Sequence, residues 1–188
     1  MNLVERVKNI LVTPKTEWPV IAAEKTTVAD LYQGYIAILA AIPAVAGFIG
    51  SILIGFSIVG GLIQAVLTYV LSLALTYVMA LIIDALATTF DGQKNQVQAL
   101  KTAAYTYTAS WVAGIALIVP IIGGLIALLG SIYGIYLLYL GLPATMKCPS
   151  DKAVGYTAVT IICGIVLGWI VAAIAAFVVA SMVLMSMR

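Results

Sequence analysis

Three long stretches of this chain contain no Lys, Arg, Asp or Glu: Leu31 to Ile83, Thr102 to Met146, and Ala153 to Met187. A helix that crosses a bilayer needs about 20 consecutive apolar residues, so the stretches have room for about five crossings. The expected fold is an all-α membrane protein, a bundle of about five transmembrane helices with a short amphipathic N-terminal helix. The spans are expected at about residues 30–54, 62–88, 103–119, 121–142 and 156–185, after a cytoplasmic amphipathic N-terminal segment, 1–29.

Local signals place these boundaries. Residues 2–12 set Leu3, Val7, Ile10 and Leu11 on one helical face, with Glu5, Arg6, Lys8 and Asn9 elsewhere. Such a segment beside a membrane is expected to lie in the interface plane, ended here by Pro14. Thr16 offers an N-cap to the next piece, and Trp18 an interfacial anchor. Thr27-Val28-Ala29-Asp30 reads as a capping box opening the first span. Gly55 to Gly61 is a short turn, Pro120 with Gly123 and Gly124 breaks the second stretch in two, and Pro143 is expected to end the fourth span.

Composition agrees with a bilayer. Hydrophobic residues make up 64% and charged residues 9%, against about a quarter charged in soluble domains. No cleavable leader pattern is visible, so the first span is expected to act as its own insertion signal. Eight of the nine basic residues (Arg6, Lys8, Lys15, Lys25, Lys94, Lys101, Lys147, Lys152) fall on the N-terminal side of a five-span parse, leaving Arg188 opposite. The positive-inside rule then puts the N-terminus in the cytoplasm and the C-terminus outside. A net charge of +2 argues for no nucleic-acid partner. With no His and with Cys148 and Cys163 far apart, neither a metal set, a cofactor site nor a disulfide framework is expected.

Candidate chemistry is sparse. The second span carries Gln64, Thr68, Ser72, Thr76 and Asp84 at helical steps of four or eight, a polar path that could serve a small transporter or channel. Against this, serine and threonine can satisfy themselves on the carbonyl four residues back, and Asp84 falls near the cytoplasmic boundary, where a loop lysine such as Lys94 or Lys101 could pair with it. The ten tyrosines cluster at span ends, as an aromatic belt would. Gly130 with Gly134, and Gly164 with Gly168, have the small-residue spacing that lets membrane helices approach closely, within one bundle or between copies in a homo-oligomer. No nucleophile–base pair or phosphate loop is visible, so catalysis is not expected.

Several segments together resemble the bacterial branch of the Yip family, the Rab-GTPase-interacting membrane proteins. They are PKTEWPVIAAE from Pro14, Asp30-Leu31-Tyr32-Gln33-Gly34, Ala104-Tyr105-Thr106-Tyr107-Thr108, and GLPATMKCPSDKAVGYT from Gly141. The resemblance covers nearly the whole chain. It implies five spans with a cytoplasmic N-terminus, and it marks Asp30, Tyr32, Tyr105 and Tyr107 as a candidate polar cluster. In this chain Gln33 stands between the tyrosine and the glycine of the first motif. Eukaryotic members look like partners of lipidated Rab GTPases. The function expected here is a non-enzymatic membrane scaffold or adaptor, in contact with the lipid bilayer and an unidentified cytoplasmic protein partner.

Overall fold

The computed structural model describes residues 2–186, with side chains for 2–119 and 121–174; Arg188, the expected outer charge, lies outside them. Helix α1 (Leu3–Val12) opens on Asn2, whose side chain accepts the Val4 N–H at 3.1 Å. Pro14 starts a new helix rather than only stopping the old one, because its missing N–H costs nothing at a first helical position. Helix α2 (Pro14–Ala23) thus begins at Pro14, and Thr16 is not its cap: the Thr16 hydroxyl donates to the Thr13 carbonyl at 3.0 Å.

The apolar face of α1 turns inward. Ile10 is fully buried, Leu3, Val7 and Leu11 pack on the same core, and Trp18, expected at the membrane interface, is 1% exposed. Docking on the bundle gives these helices polar partners for their last carbonyls, which a lipid surface does not offer in fixed positions.

The Thr27–Asp30 capping box opens α3 (Val28–Leu53). Tyr32 to Ile36 forms one π-helical turn. A π turn accommodates one extra residue in a helix, which suits Gln33 in the motif Asp-Leu-Tyr-Gln-Gly. Gly55, at φ 88°, makes the turn that follows, and Ser57 caps α4 (Ile58–Leu86), which continues as a 3-10 turn to Phe90. Asn95 caps α5 (Gln96–Ala113), extended by a 3-10 turn to Ile118. Helix α6 (Pro120–Met146) runs through Pro143 to a left-handed stop at Lys147, four residues beyond the expected end at Leu142. Helix α7 (Ser150–Ser186) closes the chain.

Among the described residues, four segments are long and apolar enough to cross a membrane: Val28–Leu53, Ile58–Phe90, Ile121–Met146 and Ser150–Ile174. Helix α5 is not among them, yet it packs against α3, α4 and α6 and reaches the far end of the bundle. There a Cβ on Gly50 of α3 would stand 2.2 Å from the Leu117 carbonyl oxygen. Ten residues of α5, from Ala99 to Trp111, are buried. A helix wrapped by others can keep polar groups that a lipid-facing one cannot.

The glycines of α6 explain this closeness. A Cβ at Gly130 would meet Ala113 Cβ at 2.5 Å, and one at Gly134 would meet the Thr106 carbonyl at 3.1 Å. On α7, Gly164 faces Met79 at ordinary contact distance, and Gly168 has nothing within 4 Å.

Candidate functional site

The buried charges among the described residues, Arg6, Glu17 and Lys101, gather at one end of the bundle, at α1 and α2. Arg6 shares a face with Leu3 and Ile10, so burying that face buries the guanidinium, which is 5% exposed. It forks between two carboxylates of the same tail, Glu17, itself 5% exposed, and Glu24 at the end of α2. Beneath it lies the Tyr105 ring, its centroid 5.8 Å away. A cation so placed gains from the ring's negative face, the more so when desolvated.

Lys101 completes the set from below. It is 1% exposed, and its ammonium donates to the carbonyls of Ile21 at 2.8 Å and Glu24 at 2.5 Å. Gln98, one turn earlier, donates to the Ala22 carbonyl at 2.8 Å. The last carbonyls of a helix lack partners within it and carry its negative dipole end, so α5 supplies α2 with both hydrogen bonds and a cation. Burial pushes the Lys101 ammonium below the usual lysine range, and the charge of Glu24 opposes that shift. Tyr133 does for α1 what Lys101 does for α2, donating to the Leu11 carbonyl at 2.8 Å.

The motif residues separate here. Tyr105 lies at the centre, in edge contact with Trp18 (6.1 Å between centroids) and against Tyr35 (4.5 Å), whose hydroxyl pairs with Thr108 at 2.7 Å. Asp30 is exposed and occupied by its own cap, accepting from the Thr27 N–H at 3.0 Å and hydroxyl at 2.6 Å. Tyr32 points to α4 and donates to the Leu73 carbonyl at 2.9 Å, while Tyr107 packs on Trp111. Asp30, Tyr32, Tyr105 and Tyr107 therefore do not form one cluster.

The tyrosines depart from a simple belt. Tyr32 and Tyr69 tie α3 to α4 reciprocally, Tyr69 donating to Ala37, and Tyr156 donates to the Ile83 carbonyl across α7 and α4. A helical carbonyl keeps a second lone pair for such a bond. Tyr136 and Tyr139 remain exposed on α6, where a belt would have them.

The polar line on α4 is interrupted. Gln64 and Thr68 open on a cavity between α3 and α4 that neither Thr76 nor Asp84 lines. Thr76 is 1% exposed and donates to the Ser72 carbonyl at 2.8 Å, while the Ser72 hydroxyl accepts from the Trp111 indole at 3.3 Å. Asp84 is half-buried and, contrary to expectation, pairs with neither Lys94 nor Lys101: Lys101 is committed to α2, and Asp84 Oδ1 lacks a partner among the described residues.

Arg6, Glu17, Glu24 and Lys101 escaped the sequence reading as a site. The available signal was Arg6 itself, a charge at helical spacing from Leu3 and Ile10 on an otherwise apolar face.

A sequence model of the Yip1 domain matches residues 8–171. Inner membrane protein YohC of Escherichia coli K12 is 28% identical over 165 residues, covering 81% of this chain and 84% of its own length, and the YohC of Escherichia coli O6:H1 matches to the same extent. No solved structure matches.

Proposed function

The chain belongs to the Yip1 domain family, and from that premise we propose that it is a non-enzymatic scaffold of the bacterial inner membrane, presenting one rigid polar face to a cytoplasmic protein partner. The inner-membrane location follows the relatives described as inner membrane proteins. In this reading five helices cross the bilayer, α5 from about residue 103, with the N-terminus in the cytoplasm as the lysine and arginine distribution favours.

The observation that carries the reading is the buried fork of Arg6 to Glu17 and Glu24, seated on Lys101 and Tyr105. The fork ties α1 to α2, and Lys101 and Tyr105 fasten both to the bundle, so the exposed charges of that end, Lys8 and Lys94 among them, are held at fixed relative positions. A pre-ordered surface binds without the entropic cost of ordering a loose tail. The transporter reading loses support where the cavity at Gln64 and Thr68 stops short of Thr76 and Asp84.

Two measurements test this. Photo-crosslinkers placed at Lys8 or Lys94 should trap a protein in cells, and one at the lipid-exposed Val66 should not. In reconstituted vesicles, proton and monovalent-cation flux should equal that of protein-free vesicles. Flux abolished by Asp84→Asn, with the fold intact, would replace the scaffold by a transporter.

A further inference from the structure

Six hydroxyls on the helices of this bundle follow one habit. Thr76, Thr102, Thr108, Ser131, Thr145 and Thr157 each donate to the carbonyl four residues back, at 2.7–3.2 Å. That bond is what a buried serine or threonine makes when nothing better is near. Thr106 and Thr160 break the habit: their buried oxygens have no partner among the described residues, although Thr160 is 0% exposed. An unpaired hydroxyl in an apolar interior is costly.

Both exceptions line one crevice of about 370 Å³ between α4, α5, α6 and α7. Its upper end, towards the docked tail, is set by Ala103, Leu138 and Thr160, and its lower end by Leu75, Leu128 and Ile165. It opens towards lipid between α6 and α7, where Ile132 and Ile165 are 54% and 55% exposed. Ten residues from Leu138 to Leu128 give it a length of about 15 Å at 1.5 Å per residue. Dividing 370 Å³ by that length leaves a cross-section of about 25 Å². A helix with side chains is about 10–12 Å across and cannot enter. A single extended hydrocarbon chain can.

We propose that this crevice is a binding site for one acyl chain of a membrane glycerophospholipid, with the ester carbonyl accepting hydrogen bonds from Thr160 and Thr106. The register fits. Thr160 lies one helical turn beyond Tyr156, where the last span is expected to begin, and the walls below it are mostly aliphatic, with Tyr107, Ser110 and Ser131 among them. The chain fills the apolar trough and the carbonyl gives the two hydroxyls the acceptor they lack. This site lies apart from the polar face that carries the scaffold reading, so either can fail alone.

The test uses the full chain reconstituted in phosphatidylcholine vesicles with two photoreactive phosphatidylcholines, identical except that one joins its labelled chain by an ester and the other by an ether. The ester probe should label residues 128–138 and 160–165 about fivefold more than the ether probe, the size of one hydrogen bond. Both should label the lipid-exposed Val66 and Val70 equally. Thr106→Val with Thr160→Val should erase the ester preference, and Thr160→Ser should keep it. Gly164→Leu, which puts bulk into the crevice, should abolish labelling there by both probes. Equal ester and ether labelling of the wild type, or a preference that survives the double valine variant, would overturn the proposal.

Discussion

The indole of Trp18 lies against the bare α-carbon of Gly141, so close that a Cβ there would stand 2.6 Å from the ring. Trp18 is 1% exposed, and its removal should cost about 3–5 kcal/mol, as for other buried tryptophans. Gly141→Ala should cost about 1–3 kcal/mol through overpacking. The two losses should not add, because alanine is harmless once the ring is gone. Thermal unfolding of both single variants and the double variant in detergent measures this, and strict additivity would show that the two residues do not meet.

Arg6 serves two carboxylates while buried. Arg6→Ala strands Glu17 without a counter-ion, and breaking a buried pair in this way costs about 3–5 kcal/mol. Arg6→Lys should recover little, since an ammonium cannot fork between two acids as a guanidinium does. Limited proteolysis near Thr13 should rise in both variants. A tail as resistant as the wild type's would remove the fork from the account of how α1 and α2 are held.

Lys101 predicts a pH effect of definite sign. Burial lowers its folded-state value below the ordinary 10.5. Between those two values the unfolded chain binds more protons, so this group's contribution to stability rises with pH through that window and is flat above it. Comparison with Lys101→Met isolates this group from every other titrating side chain. As pH rises towards 10.5 the wild type should gain melting temperature relative to the variant; a relative loss would reverse the assignment.

Cys148 is buried in the joint between α6 and α7, and burial pushes its thiol above the usual range. The thiolate is the reactive form, so alkylation at neutral pH should be slow in the folded protein and fast after unfolding. Rapid labelling of native protein, read by mass against Cys148→Ser, would contradict the burial.

Topology has its own check. A reporter fused after Arg188 should be active outside the cytoplasm if five helices cross. Activity confined to the cytoplasm would mean that α5 does not span.

The helices were legible because charge-free stretches and caps are local signals. Thr27 and Asp30 announce their capping box, and Gly130 and Gly134 their close contact. What the linear chain hides is which surface an amphipathic segment meets. The face of Leu3, Val7 and Ile10 suits lipid or protein equally; the choice is made by tail contacts with partners 77 to 122 residues away, such as Lys101 and Tyr133. Pro143 was misleading for a related reason, since a proline can stay within a helix when the loss of one hydrogen bond is outweighed by packing on both sides, as here between Leu142 and Met146, both fully buried. The candidate path on α4 had the right spacing, but Trp111 on α5 occupies its middle.

The polarity of α5 has a consequence for how the chain is made. Gln96, Gln98 and Lys101 open a helix that falls short of the apolar threshold its neighbours meet, so during synthesis it has little drive to leave the translocation channel for lipid unaided. Its stable place exists once α3 and α4 stand on one side and α6 arrives on the other. If α5 crosses the bilayer, its insertion is expected to be coupled to the emergence of α6, the two entering as one hairpin closed at Gly123, whose absent side chain lets the turn fold back on Ala116. A nascent chain arrested before α6 should hold α5 accessible to aqueous cysteine reagents, and release of α6 should protect it.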